Sequence, residues 1–359
     1  MDYTTKAGAL VMIDEVLRQA KLAGASDVHI TVGISPKMRV NGRLMTMQFP
    51  VLMPNDTRRL LYGIMNEKQK QAFEQKGEWD FSYSIAQLGR YRVNAFMQRG
   101  SVAIVLRLVG NKIPKPQELG VPDSVVNLYN KKRGLVLVTG PTGSGKSTTL
   151  ASIIGKINAE LYTHIITLED PIEYLHRHDK SIVNQREIGI DSDSYADALR
   201  SALREDPDVI FVGEMRDLET ISVAITAAET GHLVFSTLHT IGAASTVDRI
   251  IDVFPPYQQQ QIRTQLANVL EAVVSQQLIP RIGGAGRVAA FEVMHANSAI
   301  RNLIRESKTH QINSTIQTNR RVGMVTMDDA IVELYMRGDI DRGEAISFAQ
   351  DKASMMSKV

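Results

Sequence analysis

The chain has 359 residues, 43% of them hydrophobic, and a formal net charge of +2 at pH 7. That length calls for two or three domains with packed cores rather than disorder, and the near-neutral balance excludes a chain built as a whole to attract nucleic acid or an acidic membrane. It has no cysteine, which excludes disulfides, thiolate chemistry and Cys-ligated zinc and is compatible with a reducing cytoplasm.

The first residues, MDYTTKAGALVMIDEVL, carry an acid at Asp2 and a short apolar run broken by Asp14 and Glu15, which is not the pattern of a signal peptide. No uncharged stretch approaches about 18 apolar residues, so no span is predicted and a soluble protein is expected. Apolar residues at 10, 13, 16, 17 and 20 predict a helix closed by Gly24. Val28–Val32 and Lys37–Val40 read as strands, and Asn41-Gly42 as a hairpin turn into a strand at Arg43–Met47. Asn55 is placed to cap a helix running to about Asn66, with a second helix to Gln75. Strand-like runs follow at Tyr91–Gln98 and Val102–Leu108. These make an α/β domain over 1–109 with no P-loop of its own. Residues 110–120, GNKIPKPQELG, lack periodicity and read as a linker, leaving 121–359 as the second domain.

In that second domain Leu135–Val138 is a short apolar run that reads as a buried strand. It leads into Gly140, Pro141, Thr142, Gly143, Ser144, Gly145, Lys146, Ser147 and Thr148, and a helical pattern follows to Ile157. Strand, G-x-x-x-x-G-K-[ST] and helix in this order make a phosphate-binding P-loop. Its glycines let backbone N–H groups point at an anion, and the helix start adds its positive dipole end. Lys146 is placed to reach the β- and γ-phosphates and Ser147 to ligate Mg²⁺. The chain is therefore expected to bind a nucleoside triphosphate.

Beyond it, strands at 164–168, 209–212 and 233–238 alternate with helices at 195–204 and 219–230, which argues for a parallel sheet covered by helices. Hydrolysis needs carboxylates near the γ-phosphate, and two acidic segments follow apolar strands, at the ligand edge of such a sheet. One is TLEDPIE with Glu169, the other DVIFVGEMRD with Glu214, the latter in Walker-B form. One carboxylate should organise the Mg²⁺ shell and another orient the attacking water. His232 and His239 flank the 233–238 strand and read either as packing residues or as groups reaching a phosphate or a neighbouring subunit. From Tyr257, the spacing of Ile262, Leu266, Val269, Leu270 and Val273 predicts an amphipathic helix with the glutamines at 258–261 at its solvated start. The remainder reads as mostly helical with a fraying end. His176-Arg177-His178 lacks metal-ligand spacing and reads as an exposed loop. The methionines read as core fillers and Trp79 as packing.

GPTGSGKST, TLEDPIE, DVIFVGEMRD and TAAETGHLVFSTLHT, in that order, resemble the Walker A, Asp box, Walker B and His box of secretion-superfamily ATPases. Agreement is closest with the PilT-type retraction ATPases of type IV pili. RYRVNAFMQRG, NQREIG, ALREDPD and AIRNLIRE extend it over nearly the whole chain. The resemblance implies a PAS-like N-terminal domain and a RecA-like P-loop ATPase domain with a helical C-terminal part. It also implies a homo-hexameric ring at the cytoplasmic face of the inner membrane, which hydrolyses ATP with Mg²⁺ to power pilus disassembly. By the same resemblance Glu169 would be the general base and Glu214 would help hold Mg²⁺. Arginines of the N-terminal domain, here Arg92, Arg99 and Arg107 on predicted strands, would face the triphosphate. Ser236 stands where the family more often has Gly. In AIRNLIRE, Ile300, Leu303 and Ile304 share a helical face beside Arg301 and Arg305. The pattern alone reads as a helix docked on the core. The resemblance suggests instead that its polar side transmits ring motion to an inner-membrane platform protein, so that replacing both arginines should spare the ATPase.

Pilus-extension and type II secretion ATPases are the alternative within the superfamily, and many of those carry a CxxC zinc element that a cysteine-free chain cannot have. A nucleic-acid translocase would need a basic, aromatic-bearing channel, which near-zero charge and 6% aromatics argue against. A nucleotide switch without turnover is disfavoured by the two carboxylate segments.

Overall fold

The chain forms two units, Met1–Lys112 and Ile113–Val359, and the computed structural model describes residues 12–40, 42–85, 88–109, 113–284 and 286–359. In the first unit, α1 (Ile13–Leu22) is followed by β1 (Asp27–Ile30), β2 (Lys37–Val40), β3 (Arg43–Thr46), α2 (Pro54–Tyr62) and α3 (Glu67–Lys76). Then come β4 (Glu78–Ile85), β5 (Gly89–Gln98) and β6 (Ser101–Val109). The strands make one antiparallel sheet in the order β3-β2-β1-β6-β5-β4. Its buried face follows from alternation along each strand: Tyr91, Val93 and Ala95 lie in the core with Val16, Leu17 and Leu61, while Arg92 and Asn94 face out.

Three expectations change here. Asn55 lies inside α2, which Pro54 opens; the Asp56 carboxylate accepts the Met53 N–H at 2.9 Å. Asn66 is instead a cap, exchanging hydrogen bonds with Gln69 at the start of α3, the reciprocal arrangement of a capping box. β4 was not expected because only Phe81 along it is buried, so an edge strand carries almost no hydrophobic signal. Asn41 of the expected hairpin turn and residues 110–112 of the expected linker lie outside the described residues.

The second unit begins with α4 (Asp123–Val126), β7 (Gly134–Thr139), α5 (Lys146–Glu160), β8 (His164–Glu169) and β9 (Ile182–Glu187). α6 (Tyr195–Ala202), β10 (Val209–Val212), α7 (Leu218–Glu229), β11 (Leu233–Leu238), α8 (Ala243–Asp252) and α9 (Pro256–Val269) follow. The order of the seven-stranded sheet is β13-β12-β7-β11-β10-β8-β9, where β12 is Leu270–Pro280 and β13 is Arg287–His295. All neighbours are parallel except β12 and β13. The chain ends in α10 (Ser298–Arg305), α11 (Ile312–Thr318), α12 (Met327–Met336), α13 (Arg342–Phe348) and α14 (Lys352–Lys358). β7, β10 and β11 are buried along their whole length, as strands covered by helices on both faces must be.

The predicted helix through Val273 stops at Val269, and Leu270 opens β12. A run buried on both faces has no period that separates strand from helix, so the mostly helical reading holds only from Ser298 onward. β9 escaped notice because its edge position leaves it polar. The C-terminus is a helix, α14, with Met355 buried and Asp351 accepting the Ser354 N–H. His176 is no exposed residue: burial drives its pKa down to about 4, and its Nδ1 has no hydrogen-bond partner. Ser236 is fully buried and donates to the Val212 carbonyl at 2.8 Å, so the hydroxyl is absorbed by the neighbouring strand.

α10 is docked on the core, as its pattern alone predicts, with Ile300 and Ile304 buried, and its arginines are engaged there. Arg301 donates to the carbonyls of Ala267, Asn268 and Ala296 and pairs with Glu271 at 3.0 Å, and Arg305 donates to the Asn268 side chain. The two arginines cap the C-terminal end of α9, and the outer face of α10 is Ala299, Asn302 and Glu306.

Candidate active site

Parallel strands β8, β10, β11 and β7 end at a common edge, and the loops leaving them supply the side chains of interest. β7 delivers residues 140–145, and α5 starts at Lys146. Gly140, Gly143 and Gly145 have φ of 142°, 80° and 89°, a region other residues avoid. At two of them space is also short: a Cβ at Gly140 would stand 2.2 Å from the Gln276 carbonyl oxygen, and one at Gly145 2.9 Å from Gln276 Nε2. Pro141, Thr142 and Gly143 are exposed at the crest, Ser144 is buried, and Ser147 and Thr148 are half-buried on the first turn of α5. Thr148 shares a hydrogen bond with the Tyr174 hydroxyl at 3.0 Å. Lys146 folds back over the loop, its Nζ donating to the carbonyls of Gly140 at 2.8 Å and Pro141 at 3.1 Å. Burial lowers its pKa, while Glu173 and Glu214 act in the opposite direction. That coupling places the lysine and the Walker-B carboxylate in one electrostatic neighbourhood.

Glu169 ends β8 and is buried. Its Oε1 accepts from Thr167 Oγ1 at 2.6 Å and Gln185 Nε2 at 3.1 Å, and its Oε2 from the Glu173 N–H at 3.4 Å. Burial outweighs these donors and pushes its pKa up to about 7. Gln185, from β9, is itself held by the Tyr174 carbonyl and the His176 N–H. Glu214 follows β10 and meets different partners: Arg216 Nε at 2.8 Å and His239 Nε2 at 3.4 Å. The Thr237 hydroxyl donates to the Gly213 carbonyl at 2.6 Å, tying the ends of β10 and β11 together. The half-buried Tyr195 phenol faces Asp170, Glu214 and Glu169, and burial raises its pKa.

The sheet thus brings the loop 140–148, Glu169, Glu214 and His239 to one edge. It does not bring His232 there. His232 precedes β11, its Nδ1 meets the Ala227 carbonyl at 2.9 Å at the end of α7, and its carbonyl accepts the N–H of Gly134, the first residue of β7. A six-residue strand, about 20 Å long, separates it from the P-loop edge. The three arginines belong to the first unit. Arg92 and Arg107 are direct cross-strand partners on β5 and β6, with Arg107 bound to Asp27 at 2.8 Å and Arg92 at 4.0 Å from Asp80. Arg99 is not on a strand: it occupies the two-residue turn between β5 and β6 at φ 48°.

Sequence reasoning missed Thr167, Gln185, Arg216, Tyr195 and Gln276. Thr167 was legible, since a residue two before Glu169 on a strand shares its face. The others meet the site from elements distant in sequence or through a loop turn that periodicity does not report.

A family model described as Type II/IV secretion system protein matches residues 4–347. The type IV pilus retraction ATPase PilT of Pseudomonas aeruginosa is 50% identical over 333 residues, spanning 93% of this chain and 96% of that protein. A twitching motility protein of Neisseria gonorrhoeae is 48% identical over 340 residues, 95% of this chain and 91% of its own. Among solved structures, that of the pilus retraction motor PilT with bound ADP matches with a TM-score of 0.90 at 51% identity, covering 97% of this chain and 99% of the other.

Proposed function

The chain belongs to the type II/IV secretion system protein family, and from that premise we propose that it is the ATPase that powers type IV pilus retraction and hence twitching. The observation that carries this reading is 50% identity to a pilus retraction ATPase over 93% of the chain, joined to the convergence of the P-loop with Glu169 and Glu214 at one sheet edge.

The P-loop N–H groups and the start of α5 receive the triphosphate. Lys146 leaves the carbonyls of Gly140 and Pro141 for the β- and γ-phosphates. The donor set beside it is all oxygen, the Ser147 hydroxyl and the Glu214 carboxylate, and suits Mg²⁺, which takes one or two protein ligands and fills its shell with phosphate and water. Bound there, the ion neutralises charge developing on the phosphates. Arg216 and His239 fix the direction of Glu214. Glu169 orients the attacking water and accepts its proton. A carboxylate with a pKa of about 7 is a far better proton acceptor near neutrality than an ordinary glutamate.

The assembly is read as a homo-hexamer. One of Arg92, Arg99 and Arg107 serves the triphosphate within that ring, and His232 serves toward a neighbouring subunit. Its partner is the pilus platform protein at the cytoplasmic face of the inner membrane. Among the described residues no helix is long and apolar enough to cross a membrane, and we read the attachment as peripheral, through that partner. Deleting the gene tests the direction of the motor. More or longer surface pili with loss of twitching is the expected outcome; a strain with no pili identifies an extension motor and overturns the reading.

A further inference from the structure

β12 lies directly beside β7, with Val274 opposite Val138 and Ser275 opposite Thr139. The next residue, Gln276, is buried and sits under the P-loop where β7 gives way to it. Three contacts meet at this one glutamine. Its backbone oxygen closes against Gly140 so tightly that a Cβ there would stand 2.2 Å away, and its Nε2 lies against Gly145, where a Cβ would stand 2.9 Å from it. Its Oε1 accepts a 2.8 Å hydrogen bond from the hydroxyl of Thr149, a fully buried residue in the first turn of α5 whose N–H bonds the Gly145 carbonyl.

We infer that Gln276 is a positioning residue for nucleotide binding, the post on which both ends of the P-loop are set. Gly140 enters the loop and Gly145 leaves it, so a single side chain and its own carbonyl fix the separation of the two ends. Through Thr149 the same carboxamide orients the α5 turn that carries Lys146 and Ser147. The phosphate-facing N–H groups then need no rearrangement on binding, which lowers the cost of ordering the loop around an anion. Gln276 touches no substrate in this arrangement; it acts through the loop. The inference rests on reading 140–148 as the triphosphate site.

The test uses the full-length chain and the methylanthraniloyl derivative of ATP as a fluorescent probe with Mg²⁺. Gln276→Leu keeps the bulk but strands the Thr149 hydroxyl without an acceptor. It should raise the probe Kd and the ATP KM by about tenfold while kcat stays within about twofold. Thr149→Val should do the same and Thr149→Ser should bind like wild type. The double variant Gln276→Leu, Thr149→Val should bind no more weakly than either single one, because both remove the same bond. A general packing role predicts instead additive losses, with kcat and KM moving together. An unchanged Kd in Gln276→Leu, or additive losses in the double variant, overturns the inference. Should Gln276→Leu fail to fold, equal affinities of Thr149→Val and Thr149→Ser overturn it as well. Lys146→Ala separates the two levels. If it still binds the probe, the reading of the loop itself fails; if it loses the probe while Gln276→Leu keeps it, only the role of Gln276 fails.

Discussion

Glu169 and Glu214 both close parallel strands at the same sheet edge, yet the two corners are built in opposite ways. Around Glu169 the partners are neutral, namely a threonine hydroxyl, a glutamine amide and a backbone N–H, and the carboxyl is buried until its pKa reaches about 7. Around Glu214 the first partner is a guanidinium and the second an imidazole. Neutral donors orient a carboxyl without forcing it to stay ionised, which suits a group that must take up a proton. A guanidinium and an imidazole on its two oxygens fix the direction of a carboxylate, which suits a ligand for a metal ion. The difference between two glutamates lies in their surroundings.

That contrast can be broken by pH. The kcat/KM for ATP reports the free enzyme, so it should fall about tenfold per unit as pH drops below about 7 and Glu169 protonates. A flat profile from pH 7 to 5 would remove Glu169 from proton transfer. Stability gives the same contrast a second reading. The folded-state pKa of Glu169 is raised, so its contribution is fully present below its unfolded value near 4.5 and is lost as pH rises through about 7. Unliganded wild type should therefore lose, relative to Glu169→Gln, about 3 kcal/mol at most across that window. Denaturant unfolding of the two proteins at pH 4 and pH 8 measures it. A smaller effect sharpens the comparison. Thr167 and Gln185 hold the Glu169 pKa down against burial, so Gln185→Leu should move the kcat/KM midpoint upward by about one unit.

The P-loop, the Walker-B strand and the Asp-box carboxylate were legible because each joins an apolar strand to a loop within a few residues, and local spacing carries that whole signal. The two histidines around β11 show where such reading stops. They are equivalent as flanks of a strand, but in a parallel sheet only the C-terminal flank meets the ligand edge, and His232 is at the other. β12 was read as helix because burial on both faces erases its period, and with it went Gln276, which no motif names. Arg301 and Arg305 read as a pair beside the apolar face of α10, but their spacing does not tell that Arg301 binds the end carbonyls of α9 and Arg305 the Asn268 side chain. Which way an arginine turns is decided by the helix it packs against, and that partner begins far earlier in the chain, at Pro256. Replacing both is therefore expected to disturb the fold of the ATPase unit rather than spare it.

The assignment of the two carboxylates is tested most directly by measuring ATP binding and steady-state hydrolysis for Glu169→Gln and Glu214→Gln side by side across a Mg²⁺ titration. Glu169→Gln should bind ATP like wild type at every Mg²⁺ concentration and lose turnover by about 10² to 10⁴. Glu214→Gln should need more Mg²⁺ and recover part of its rate when given it. Hydrolysis at the wild-type rate by Glu169→Gln, with Glu214→Gln inactive at all Mg²⁺ concentrations, would contradict the account.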